Sequence, residues 1–100
     1  MTDPVKYYAS LQKELMRQIA LCNQNKEVLQ ETVRQYTERY RAGLLTQEAY
    51  KQQLEKFLQG KSATSWYEMY EDHIAKCNKT LVYCTEKLNE LAGEELEPRK

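Results

Sequence analysis

Glycine and proline are scarce in this 100-residue chain, at three and two residues. That excludes a collagen-like or low-complexity protein and leaves few places where a helix must stop. Net charge is missing too: 15 Lys and Arg offset 15 Asp and Glu. A basic nucleic-acid binder or a polybasic membrane-surface protein needs an excess of one sign, so the balance argues against nucleic acid. No apolar run approaches the ~18 residues of a spanning helix, which argues against membrane insertion. No charged n-region, apolar h-region and cleavage site opens the chain, so the expected location is cytoplasmic. No alternating β-branched run and no Asn-Gly or Asp-Gly turn appears, so no strand is expected. No C-x-x-C, H-E-x-x-H, glycine-rich phosphate loop or nucleophile–base pair is present, so no reaction class has residues to carry it. The expectation is a non-enzyme without a cofactor.

Three cysteines, Cys22, Cys77 and Cys84, are an odd number. Without a secretory signal, reduced thiols are expected rather than a disulfide framework. His73 and Cys77 stand four apart, the spacing of two metal ligands on one helix face. A tetrahedral zinc site needs four converging ligands, yet Cys84 lies about 10 Å along the axis from Cys77. Small hydrophobic core thiols, and no metal, are the favoured reading. A Cys22–Cys77 redox pair is conceivable, but neither thiol stands at a helix N-terminus or beside a clear base, the settings that lower a thiol pKa.

What is present is helix. Asp3 can cap a helix with Pro4 at its first position, where the missing N–H costs nothing. Nothing interrupts until Gly43, and Arg34, Arg39 and Arg41 crowd the end where cations offset the helix dipole. A first helix over about 4–42 follows, roughly 57 Å long. Thr46 is a candidate cap for a short helix over about 47–59, ended by Gly60. After the break at 60–64, Ser65 and Glu68 form an S-x-x-E capping box for a third helix over about 65–92, stopped at Gly93. Residues 1–93 read as a single helical domain and 94–100 as a flexible charged tail.

Both long helices carry a 3-4 apolar stripe. In the first it runs Val5, Tyr8, Gln12, Leu15, Ile19, Cys22, Lys26, Leu29, Val33, Tyr36, Tyr40; in the third, Tyr67, Tyr70, Ile74, Cys77, Leu81, Cys84, Leu88, Leu91. Spacing sustained over more than three heptads argues for coiled-coil-like packing. The second helix offers Tyr50, Leu54 and Phe57, with Leu58 beside them. The second and third helices, about 18 and 41 Å long, together nearly match the first. The favoured fold is therefore all-α: a long helical hairpin whose second arm is broken at 60–64. A compact three-helix bundle is the alternative. In the hairpin register Leu91 faces Val5, Leu88 faces Tyr8, Leu81 faces Leu15 and Cys77 faces Ile19. Tyr8, Leu15, Ile19, Leu29, Val33, Tyr36, Tyr70, Ile74, Leu81 and Leu88 are the expected core or interface.

Leu11, Met16, Leu21, Trp66 and Val82 lie off the stripe, with Met69, and form a candidate partner face. A thin hairpin is marginal alone, so a second copy or another helical protein is expected to complete a four-helix-like bundle. Most of the eight tyrosines fall on the stripe and read as packing residues with the hydroxyl at the rim. Glu68, Glu71 and Asp72 suit the dipole of the third helix's first turns. Lys26 and Gln12 interrupt the stripe, where a polar residue either fixes register or extends to water.

Residues 39–59, carried by Gly43, Leu45, Thr46, Glu48, Tyr50 and Leu58, resemble a SHOCT-type short helical hairpin: a helix ending in Gly, then Leu-Thr, an acid, an aromatic and a terminal Leu. That turn, followed by a Gly, a serine-rich linker and an aromatic-rich helix, is also similar to the helical core subunits of the ESCRT-I complex. Both resemblances imply interaction or oligomerisation. The expected function is a non-enzymatic helical interaction or assembly subunit that self-associates, as a homodimer, or docks into a larger complex. The alternatives are a nucleic-acid-associated accessory protein using Arg34, Arg39 and Arg41, and a thiol- or metal-responsive helical protein.

Overall fold

A computed structural model describes residues 3–96. Three helices account for them: α1 (Pro4–Arg41), α2 (Gln47–Leu58) and α3 (Ala63–Leu96), with no strand among the described residues. The fold is the all-α hairpin with a broken second arm. The tail expected over 94–100 lies outside the described residues from 97 onward.

Local chemistry sets the boundaries. Asp3 caps α1, its Oδ1 accepting the Val5 N–H at 3.0 Å while its carbonyl accepts from Tyr7 at 3.0 Å. The helix closes at Arg41, where the Leu44 N–H reaches back to the Arg39 carbonyl at 2.8 Å and Gly43 takes a φ of +78°. That left-handed backbone is open to glycine without steric cost. Thr46 caps α2 by accepting the Ala49 N–H at 3.1 Å. Gln59 and Gly60 both turn left-handed after Leu58, and the Gly60 N–H bonds the Glu55 carbonyl at 3.1 Å. This is the six-to-one closure that commonly ends helices.

At α3 two expectations need correction. The helix begins at Ala63 rather than 65, because Ser62 is the cap: its Oγ accepts the Ser65 N–H at 3.0 Å. Ser65, expected as the cap, is inside the first turn, and no acid stands in that turn. The helix also runs through Gly93 to Leu96. A glycine stops a helix by turning left-handed, and only Gly43 and Gly60 do so among the described glycines.

The chain divides into two compact units. In the first, residues 4–21 of α1 pack with residues 73–96 of α3. Its core is Leu15, Cys77 and Cys84, with Tyr8, Leu11, Ile19 and Leu81 packed against them. Pairing is antiparallel: Tyr8 meets Tyr83 at a ring distance of 6.2 Å, and Gln12 Nε2 donates to Thr85 Oγ1 at 3.0 Å. Nearer the other end of this unit Gln18 meets His73 and Cys77. The second unit holds residues 22–72. Here α2 lies antiparallel to α1: Tyr40 stacks on Tyr50 at 4.8 Å, and Tyr36 meets Phe57 edge-on at 6.5 Å. The start of α3 then takes over beside α1, with Lys26 Nζ 2.6 Å from Glu71. The compact three-helix bundle is thus not the arrangement.

Candidate interaction surface

Buried side chains are few. Among the described residues the buried hydrophobic ones are Leu15, Cys22, Leu29, Cys77 and Cys84, of which only Cys84 is wholly enclosed. Tyr8, Ile19, Val33, Tyr36, Tyr70, Ile74, Leu81 and Leu88 are half-buried along the same stripes, as a two-helix seam allows. Val5 and Tyr40, at the two ends of α1, are exposed.

Both interruptions of the α1 stripe find partners on α3. Gln12 bonds Thr85. Lys26 pairs with Glu71 and lies over the Tyr67 ring at 4.8 Å. The Glu71 carboxylate is held below its ordinary range, chiefly by the hydrogen bond from Lys26 and next by one from Tyr67. Glu71 is thus an interhelical anchor rather than a dipole-stabilising acid.

One polar network was not anticipated. In the first unit Gln18 Oε1 accepts from His73 Nε2 at 3.0 Å and faces the Cys77 thiol at 3.7 Å; Cys77 Sγ is 3.6 Å from His73 Nε2. An imidazole therefore does adjoin Cys77, contrary to expectation, but the nitrogen nearest the thiol carries the proton donated to Gln18. Gln18 Nε2 donates in turn to Glu14 Oε1 at 3.1 Å. Glu14 also takes Arg17, Nη2 to Oε1 at 2.6 Å and Nε to Oε2 at 3.0 Å. These bonds, Arg17 first, pull the Glu14 carboxyl down to about 2. Cys77 and Cys84 are free thiols. Among the described residues no group of three or more His, Cys, Asp or Glu is placed to hold a metal.

The five residues assigned to a partner face separate. Leu11 packs onto the core cluster, and Trp66 is half-buried, its Nε1 donating to the Leu58 carbonyl at 2.7 Å while its ring stacks on Tyr70. Met16, Leu21 and Val82 are exposed at 60%, 43% and 58%. They do not share a flank. A helix advances about 100° per residue, so Leu21 continues the row of Tyr7, Leu11, Glu14 and Gln18, whereas Met16 lies about 140° around α1 from Leu21. On α3, Tyr83 sits on the His73 side and Val82 about 180° from His73. Since Gln18 and His73 touch, Tyr7, Leu11, Leu21 and Tyr83 border one flank of the first unit. Tyr7 and Tyr83 are each about half exposed, and both rings pack edge-on against Tyr8, at 5.1 and 6.2 Å.

The second unit has its own apolar surface. A groove of about 420 Å³ lies between Leu29 and Val33 on α1 and Ala63 and Tyr67 on α3. Val28, Leu44 and Met69 are exposed in this unit. Arg34, at the cationic end of α1, is held by both Glu31 and Glu38.

No protein-family model, curated protein or solved structure matches this chain. No described helix is long and apolar enough to cross a membrane.

Proposed function

We propose that this protein is a non-enzymatic helical assembly subunit, which presents the exposed apolar flanks of its hairpin to another helical surface. The observation that carries the reading is the contrast, among the described residues, between a core of five buried residues and ten large hydrophobic side chains left exposed. Single exposed apolar residues need no explanation, but rows of them beside a thin seam mark contact surfaces. The sequence resemblances to SHOCT-type hairpins and ESCRT-I core subunits point the same way. Arg34 spends its guanidinium on two neighbouring carboxylates, which weakens the nucleic-acid alternative.

The test is photo-crosslinking in the cell of origin, with a photoreactive phenylalanine analogue in place of Tyr7 or Tyr83. The expected result is a discrete adduct, to a second copy or to one other protein. Absence of any adduct at both positions contradicts the reading.

A further inference from the structure

We infer that the flank bordered by Tyr7, Leu11, Leu21 and Tyr83 pairs two copies of this chain about a two-fold axis. This rests on the assembly reading and adds to it the identity of the partner and of the face.

Area is the first argument. The chain exposes 8015 Å². Folded-surface scaling gives about 5,900 Å² for a compact monomer of this mass, so about 2,000 Å² is surplus. One partner of a stable complex covers about 800 Å². The surplus can therefore supply one such interface and leave the protein well solvated.

Placement is the second. In the first unit the exposed side chains of Tyr7, Leu21 and Tyr83 fall on one flank, joined by the edge of Leu11, against Met16 and Val82 on the other. Tyr7 and Tyr83 continue an edge-on ring cluster with Tyr8 that ends at solvent. Tyrosines of this kind are favoured at interfaces, where the ring is covered and the hydroxyl stays at the rim. The middle of the flank is polar but internally satisfied, because Arg17, Glu14, Gln18 and His73 bond one another. Such a centre can be covered without stranding a charge.

Charge names the occupant. A surface that selects a different protein by attraction needs an excess of one sign. This chain has 15 charges of each sign, and on this flank Glu14 is paired with Arg17 while Lys87, which lies over the Tyr83 ring, is paired with Glu90. Two identical neutral molecules meet without repulsion, and a two-fold contact sets the same patch against itself.

Sedimentation equilibrium on the full chain tests this. The expected mass at about 100 µM is twice 11.9 kDa, and about 1 M NaCl leaves it unchanged because the flank's charges are paired within each chain rather than across the contact. Leu21→Glu should weaken pairing at least about tenfold. Val82→Glu, at a more exposed site on the opposite flank, should leave the dimer intact. Circular dichroism establishes that each variant is folded, and Tyr7→Lys replaces Leu21→Glu if the latter is not. A monomeric parent overturns the inference, as does a dimer that dissociates on Val82→Glu but not on the flank substitutions. A monomeric parent that still gives a photo-adduct to a different protein defeats only the second-copy partner. A monomer with no adduct defeats the assembly reading as well.

Discussion

The two buried α3 thiols do different things. Cys84 is wholly buried in an apolar cluster, whereas Cys77 stands within reach of Gln18 and His73. A serine at 84 buries a hydroxyl among apolar side chains, so Cys84→Ser should cost about 1–3 kcal/mol. At 77 the new hydroxyl meets an amide oxygen and an imidazole, so Cys77→Ser should cost clearly less. Chemical denaturation of both variants checks the order, and equal losses contradict it. Burial of these thiols was legible from the stripe, since positions 77 and 84 repeat with Ile74, Leu81 and Leu88. The Gln18–His73–Cys77 network was not. Gln18 and His73 flank the stripes, and which flanking residues meet depends on how the two helices are rotated and staggered. Apolar spacing leaves that open. Lys26 and Gln12 were readable as exceptions, but their partners Glu71 and Thr85 were not, for the same reason.

Helix ends were legible wherever the signal was unique. Asp3-Pro4, Thr46 and the glycines at 43 and 60 each left one choice. At α3 two serines, Ser62 and Ser65, competed within one turn. The S-x-x-E pattern favoured the second, while the structure uses the first because its Oγ reaches the Ser65 N–H. Ser62→Ala should therefore lose about 1 kcal/mol, and Ser65→Ala less, by thermal or chemical denaturation. Gly93 misled because glycine is permissive rather than obligatory for a stop. On α1 the Arg17–Glu14–Gln18 cluster has a titration signature. Glu14 is held at about 2 against an ordinary 4.5, so the folded state favours the ionised form. Its contribution is fully present above the ordinary value and is lost as pH falls from 4.5 toward about 2. An NMR titration should place Glu14 near the lower value, and Arg17→Met should move the midpoint upward. An unmoved midpoint contradicts the assigned cause.

At the scale of the whole molecule, the all-α class and the broken hairpin were readable from stripe lengths, because the second and third helices expected from the sequence together nearly match the first. The partner surface was only half readable. Off-stripe apolar residues were identifiable, but their division between flanks follows from which sides of α1 and α3 meet, and Leu11 and Trp66 turned out to be partly covered within the fold. Five buried side chains among the described residues are a small core. Domain stabilities are only about 5–15 kcal/mol even with fuller cores, so apolar flanks left in water are a sizeable loss. A fold completed by a second copy is stabilised by mass action, and its melting temperature depends on its own concentration. The most direct measurement is therefore calorimetric melting of the parent and of Leu21→Glu from about 1 to 100 µM. The account predicts a melting temperature that climbs with concentration for the parent and stays flat and lower for Leu21→Glu. A parent melting temperature independent of concentration, and matched by the variant, would show that the single chain is complete by itself and contradict the account.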